Sequence, residues 1–432
     1  MALTLSACWT TLAAEPWTLE RALEQALSQN PDARLAQERI SVARAGLEQA
    51  NAGFWPRLQF QSSYTRTDNP MMVFGSMLNQ HAVPSNPNFN DVPGADDLNV
   101  RGIVTMPLYQ GGRTKAGREA AKANTEAARQ DNEAVRNALG FEVARTFHTV
   151  LKTREFIRAA DAGVLSYQTN LTIAQRRLQG GTLLKTDVLD IEVRLAQARE
   201  DLVRARNANA LAIRALRNLL GIEEGDFTVA DSAPRVASPE SGDYSRRAEL
   251  AAAAHRARAA EEHVRGAKSG YQPRLNAFGS LDYDYGWKFE GEGTSYTAGA
   301  LLQWDIWDGQ LTRAKVQEAR ANLNSAREEQ RKVRLALSLE AEQARLELED
   351  ANERLHVTAQ AVETAAESTS LTRTRFDQGQ AISTQLMDSE TALIAARVRR
   401  AEAEADQRIA VAALRKALAL PQLDPRLDSK NQ

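Results

Sequence analysis

The chain has 432 residues, a formal net charge of −2, five histidines and one cysteine, with 43% hydrophobic residues. That balance gives no electrostatic footprint for nucleic acid, and a single cysteine excludes an internal disulfide framework. No run of 18 apolar residues occurs, so no segment qualifies as a membrane-spanning helix.

Residues 1–14 (MALTLSACWTTLAA) read as the end of a secretory signal, with small residues at Ala13 and Ala14. LSAC at 5–8 also fits a lipoprotein cleavage box, which would make Cys8 a lipidated terminus. Both readings send the chain out of the cytoplasm.

Helical spacing starts at Leu19, with Ala22, Leu23, Ala26 and Leu27 on one face. Asn30-Pro31 is a cap followed by a proline in the first turn, so a second helix runs to about Asn51. The pattern then switches to period two. Leu58, Phe60 and Tyr64 alternate with Gln59, Gln61, Ser63 and Thr65, predicting a strand over 57–68. A second strand, 98–109, sets Leu98, Val100, Val104, Met106 and Leu108 against Asn99, Arg101 and Thr105. The stretch between them, 69–97, is rich in Pro, Asn and Gly and is expected to be a long surface loop. A helical hairpin follows over 112–220, turning at QGGT (179–182). Residues 15–222 form one repeat, and 223–242 a Ser- and Pro-containing linker.

The second repeat, 243–420, has the same plan. GFWPRLQF (53–60) returns as GYQPRLNAF (270–278), PLYQGGRTKA (107–116) as DIWDGQLTRA (305–314), and RLQGGTLLKTDVLDIE (177–192) as RFDQGQAISTQLMDSE (375–390). The last two pairs are both 198 positions apart, so the intervening stretch aligns without a gap. Strands are expected over 274–287 and 295–307, a short loop over 288–294, and a hairpin over 310–420 stopped by Pro421. The tail, 421–432, is polar. Each long helix matches in length the two shorter ones of its repeat, so the short helices can meet end to end beside it.

Four two-faced strands fit either a soluble sandwich or a tilted membrane sheet. Their isolation between very long helices, and the Asp, Arg and Gln on their polar faces, favour a water-filled lumen. Four strands cannot close a barrel, and open edges in lipid leave backbone groups unsatisfied. Membrane strands therefore require several copies of the chain. A soluble periplasmic coiled-coil adaptor is the alternative, and it predicts one hairpin flanked by compact β domains.

The duplication, the two PRL strand entries, the LYQGG and IWDGQ strand exits and the two R-[LF]-x-x-G turns form an ordered set. By these the chain resembles the TolC-like outer-membrane efflux proteins of Gram-negative bacteria over nearly its whole length after Ala14. The resemblance implies a mainly α fold with transmembrane β: an internally duplicated α-helical barrel and a 12-stranded barrel in a homotrimer. It also implies an equatorial collar from the linker and tail, outer-membrane lipid around the strands, and a large periplasmic portion. The expected partners are a periplasmic adaptor and an inner-membrane pump, with no nucleic acid and no cofactor. The expected activity is passive export as the exit duct of a tripartite efflux or type I secretion system.

No Walker loop, Gly-x-Ser-x-Gly, His-Glu-x-x-His or cysteine pair occurs, and His81, His148, His255, His263 and His356 lack metal-ligand spacing, so neither catalysis nor a metal centre is expected. Asp187 and Asp190 follow the first turn on one helical face, and Gln385 and Asp388 occupy the matching places in the second. Such residues serve as first-turn acids favoured by the helix dipole. The family resemblance instead makes Asp187, Asp190 and Asp388 rings of carboxylates at a periplasmic gate. Phe376 stands where the family has a gate tyrosine and Ala381 where it has an arginine, which shifts any latch to Arg177 or Arg375. Gly181, Thr182 and Leu183, with Gly379, Gln380 and Ala381, would be the adaptor-contacting tips; each turn equally fits a plain helix–helix connection.

Overall fold

The computed structural model describes residues 16–86, 88, 93–224, 227–234, 236–239 and 242–423. The expected signal segment, Cys8 and residues 424–432 of the tail lie outside the described residues. In chain order the elements are α1 (Leu19–Gln29), α2 (Pro31–Ala52), β1 (Arg57–Thr67), α3 (Pro70–Asn79), β2 (Ala95–Tyr109), α4 (Arg113–Gln179), α5 (Lys185–Leu219), α6 (Ala248–Lys268), β3 (Arg274–Gly286), β4 (Gly291–Gln303), α7 (Leu311–Asp377) and α8 (Ser383–Ala417). Two compact units emerge: Ile40–Arg129 with Ala252–Gln330, and Met1–Arg39 with Gln130–Ala251 and Arg331–Gln432.

The first of these units holds one antiparallel sheet in the order β1-β2-β3-β4, with β1 and β4 at its edges. The register places Leu58 opposite Val104, Tyr64 opposite Leu98, Leu98 opposite Tyr285, and Leu281 opposite Tyr296. Because side chains alternate along each strand, these residues share one face. The other face carries Gln61 opposite Arg101, Arg101 opposite Asp282, and Ser280 opposite Thr297. The alternation in the sequence is therefore real, and its apolar face is left bare: Leu58, Phe60, Leu281, Tyr296 and Leu302 are all exposed. Aromatic residues bracket that face, with Tyr64, Tyr283 and Trp287 towards one end and Trp55, Tyr271 and Trp304 towards the other.

Strand bounds differ from expectation in the second pair. β4 begins at Gly291 and ends at Gln303, so Trp304 and Ile306 lie beyond it. There the Trp304 indole donates to the Tyr271 carbonyl at 3.2 Å and Asp305 pairs with Arg274 at 2.8 Å, which turns the chain out of the ladder. The strand exits explain the paired motifs. Gly111 and Gly112 have φ of 61° and 85°, and their counterparts Gly309 and Gln310 have 66° and 67°. Two successive left-handed residues thus start each long helix.

The expected loop over 69–97 contains a helix. The Asn69 side chain accepts from the backbone of Met71 (3.1 Å) and Met72 (3.4 Å), and Pro70 opens α3. Val73 and Met77 are buried with Ala95, against Phe289. The C-terminal end of α3 rests on the polar face of the sheet, over Gly286, Gly291 and Gly293. A Cβ at Gly293 would lie 1.9 Å from the Asn79 carbonyl oxygen, and one at Gly291 2.5 Å from the Ala82 side chain. Gly293→Ala should therefore unseat α3. Amide exchange across Pro70–Asn79 is expected to quicken about tenfold or more, corresponding to roughly 1–3 kcal/mol of overpacking. Unchanged exchange there would refute the seat.

In the helical unit, Leu19, Ala22, Leu23 and Ala26 of α1 are buried with Phe147 and Val150 of α4, and with Leu216 of α5 and Leu220 just beyond it. The residue before α2 meets the end of α5, Asn30 Nδ2 donating to the Leu219 carbonyl at 2.9 Å. The duplicate contact is made by the residue before α6, Arg247, which donates to the Lys416 carbonyl at 3.2 Å and is held by Glu249 and Glu340. The short helices of each repeat do meet. The linker lies on this unit through the Trp17–Val229 bridge, and Arg154 donates to the Val229 carbonyl at 2.8 Å.

α8 ends before Pro421. Ala419 adopts φ 56°, its N–H bonds to the Lys416 carbonyl and that of Leu420 to the Arg415 carbonyl, a Schellman closure that stops the helix at Ala417. The first repeat uses Gly221, φ 67°, for the same turn. Ala419→Gly should stabilise the unit by about 1 kcal/mol, read as a rise in urea midpoint, because a Cβ costs roughly that in the left-handed region. A lower midpoint would contradict the assignment.

His148 on α4 is buried, and its Nδ1 finds no partner among the described residues. Burial, with the Arg408 charge adding to it, pushes its pKa down to about 4. Its folded value lies below its unfolded one, so stability is full above the unfolded pKa of about 6.5 and falls as pH drops towards 4, by about 1.4 kcal/mol per pH unit. His148→Phe should remove that slope from urea midpoints measured between pH 7 and 4.5; an identical slope would show that other groups cause it.

Candidate functional site

Both hairpins close by the same turn. Gly181 (φ 71°) donates to the Leu178 carbonyl and Thr182 to that of Arg177; Gly379 (φ 76°) donates to Phe376 and Gln380 to Arg375. Gly at the left-handed position is what each R-[LF]-x-x-G motif supplies. The returning helices then start without a polar cap residue, at Leu184 and Ile382. Asp187 accepts from the Leu184 N–H at 3.3 Å and Gln385 from the Ile382 N–H at 3.4 Å, three residues into each helix. The equivalence of Asp187 and Gln385 thus has a local cause, since both satisfy an otherwise free terminal amide. Gly181, Thr182, Gly379 and Gln380 are exposed, while Leu183 and Ala381 are partly covered.

The two turns pack together. Phe376, Leu386 and Met387 are buried with Tyr167, Val188, Ile191 and Leu195. Arg177 closes α7: it donates to the carbonyls of Phe376 (2.8 Å) and Asp377 (3.0 Å), and its guanidinium sits 4.5 Å from the centre of the Phe376 ring. A cation on the last carbonyls of a helix also complements its dipole. The Phe376 ring is placed to take the cation on its face, a contact that needs no hydroxyl. The Arg375 side chain is exposed and has no bonded partner among the described residues.

The acids are less free than the sequence suggests. Asp187 also accepts from the Ser383 hydroxyl of α8 at 2.7 Å. Asp388 pairs with Arg194 of α5 at 2.8 Å. Asp190 is exposed and has no such partner among the described residues. Tyr167 shares a hydrogen bond with Thr391 at 2.9 Å, and Arg373 pairs with the buried Glu390 and reaches Ser166 at 3.1 Å. Five of these links (Arg177 to α7, Asp187 to Ser383, Arg194 to Asp388, Tyr167 to Thr391 and Arg373 to Ser166) tie one hairpin to the other.

Sequence reasoning missed Arg194, Ser383, Thr391 and the Arg373–Glu390 pair. For Arg194 a signal existed, because it lies seven residues after Asp187 and four after Asp190, on their face of the helix. It also missed Leu184 and Ile382, matching residues of the two repeats that are 71% and 62% exposed at the turns.

The described residues thus comprise two long helical hairpins and a duplicated, four-stranded antiparallel sheet. The chain superposes on the Campylobacter jejuni CmeC outer membrane channel with a TM-score of 0.82 at 15% identity, covering 95% of this chain and 88% of that one. The model of the family described as "Outer membrane efflux protein" matches residues 22–222 and 244–420, and the chain belongs to that family. It is 27% identical over 221 residues to outer membrane protein TolC of Vibrio cholerae, 50% of this chain and 47% of the relative. It is 25% identical over 204 residues to the alkaline protease secretion protein AprF of Pseudomonas aeruginosa, 47% of this chain and 39% of the relative. The chain spans less than half the length of these two curated relatives.

Proposed function

We propose that the chain is one subunit of a passive exit duct across the outer membrane, in a homotrimer fed by an inner-membrane pump through a periplasmic adaptor. One observation carries this reading: the sheet has a bare apolar face, a hydrogen-bonding polar face, and two unpaired edges. In hydrocarbon each unpaired backbone group costs several kcal/mol, so the edges must find other strands. Three copies supply 12 strands, enough for a lumen that holds water. The soluble-adaptor alternative leaves the apolar face without a partner.

The polar face then lines the lumen, with α3 folded over it at the end of the sheet away from the long helices. Asp190, with Asp187 and Asp388 once their partners release, supplies carboxylates to a periplasmic gate, and Arg177 and Arg194 hold the hairpins together in the closed state. Gln385 contributes a cap rather than a charge, and Arg375 is free to meet another subunit. Leu184 and Ile382 add apolar area to the adaptor-contacting tips, Gly181–Leu183 and Gly379–Ala381. Cargo is whatever the pump delivers.

Membrane fractionation with heat-modifiable electrophoresis tests the assembly. An outer-membrane trimer that conducts in planar bilayers is expected, and a lipid-indifferent monomer would defeat the proposal. For the gate, Asp187, Asp190 and Asp388 changed together to Asn should lower cation preference. For the tips, a crosslinker at Thr182 should capture a co-expressed adaptor.

A further inference from the structure

The helical unit holds two adjoining cavities with one arginine to spare. The larger, about 470 Å³, has walls from α4, α7 and α8, and from the linker and tail at Val236 and Gln422. The smaller, about 130 Å³, shares His148, Glu404 and Arg408 with it. Every other cation lining them is engaged. Arg400 pairs with Glu404 at 3.0 Å, and Arg415 donates to the Pro421 carbonyl at 2.7 Å. Lys152, Arg154 and Arg158 each meet a carboxylate. Arg408 is half-buried and has no bonded partner among the described residues. Glu404 stands one helical turn from both Arg400 and Arg408, so a single carboxylate serves two guanidiniums. Whichever it bonds, one positive charge is left over.

His148 lines the same two cavities from α4. It is 5% exposed, and neither ring nitrogen makes a hydrogen bond among the described residues. Buried polar groups are ordinarily bonded, so each one left over calls for an explanation. A neutral imidazole carries one N–H to donate, and a guanidinium presents a planar fork of donors. Together they suit the flat, two-oxygen head of a carboxylate. Leu19, Val236, Leu355 and Val411 make other parts of the larger cavity apolar.

We infer that this cavity binds a small organic carboxylate, with its head on Arg408 and His148 and its apolar body against Leu355 and Val411. The volume falls in the range of small-molecule sites, where mostly apolar walls carry a few placed polar groups. A bare inorganic anion would leave the apolar walls unused. Because those walls come from both hairpins, the occupant holds α4 against α8. The site lies wholly within the helical unit and stands without the duct reading.

Calorimetry on the full-length protein in non-ionic detergent tests this, with sodium benzoate as probe and benzamide as its uncharged match. One saturable benzoate per chain is expected, with a Kd on the order of 10⁻³ M for so small a molecule. Benzamide should bind at least about tenfold more weakly, and Arg408→Gln should weaken benzoate by a similar factor, the loss of a charge-assisted bond. Arg408→Lys keeps the charge and should recover part of the affinity. Arg397→Gln makes the same charge change at an exposed position outside both cavities. It lies about 16 Å earlier along α8, beyond the screening length, so it should alter affinity less than about twofold. Circular dichroism confirms that each variant is folded. No saturable binding below about 10 mM, equal binding of benzamide, or equal losses in the two Gln variants overturns the inference. So does inorganic phosphate binding as tightly as benzoate, because the apolar walls would then contribute nothing.

Discussion

Leu281→Arg should abolish the membrane-inserted oligomer, while Thr297→Arg should be tolerated. The two positions are near neighbours: Leu281 pairs with Tyr296 and Ser280 with Thr297, on opposite faces of adjoining strands. Arginine facing lipid near the bilayer midplane costs about 2–4 kcal/mol, and a trimer incurs it three times, about 6–12 kcal/mol. On the polar face the same side chain meets water. Leu281 is 65% exposed in the isolated chain, so a water-soluble sheet would tolerate both substitutions within about 0.5 kcal/mol. Heat-modifiable electrophoresis of outer-membrane fractions reads the difference, and circular dichroism shows that the helices persist. Equal insertion of both variants would mean that the apolar face does not meet lipid.

On the proposed duct reading, Arg177→Ala combined with Arg194→Ala should shift the channel towards its open state. Arg177 holds the last carbonyls of α7, and Arg194 holds Asp388 at 2.8 Å. Hydrogen bonds from charged groups are worth about 1.5–3 kcal/mol, less where water competes, so each arginine is assigned about 1.4 kcal/mol. That is about tenfold in the open-to-closed ratio for each. Single-channel recording should show longer openings, with trimers intact by electrophoresis. Unchanged gating in intact trimers would remove these arginines from the latch.

Much of this was legible beforehand because it rests on local chemistry. The 3.6-residue spacing of Leu19, Ala22, Leu23 and Ala26 matches the residues that α1 buries. The turns at Gly181 and Gly379 were marked by the one residue type that enters the left-handed region freely. The short helix α3 was not read, although Asn69-Pro70 carries the same cap-and-proline signal as Asn30-Pro31. Ten residues surrounded by Pro, Asn and Gly show too little periodicity to outweigh a loop, and α3 is held mainly by the sheet beneath it.

The candidate site was legible in position and opaque in pairing. Asp187, Asp190, Gln385 and Asp388 were found because the duplication aligns them. That Asp187 bonds Ser383 and Asp388 bonds Arg194, across nearly two hundred residues, depends on how one hairpin lies against the other. Nothing in the spacing of either repeat encodes that distance.

By itself the sequence determined the duplicated plan, the helices other than α3, the turns and the two faces of every strand, because propensity, capping and side-chain alternation act within a few residues. Tertiary structure alone decided the register that aligns four apolar faces, the seat of α3 on three glycines, and the bonds that engage Asp187 and Asp388. Those contacts join residues far apart in the chain, and their energies exist only once packing has brought the partners within a few ångströms.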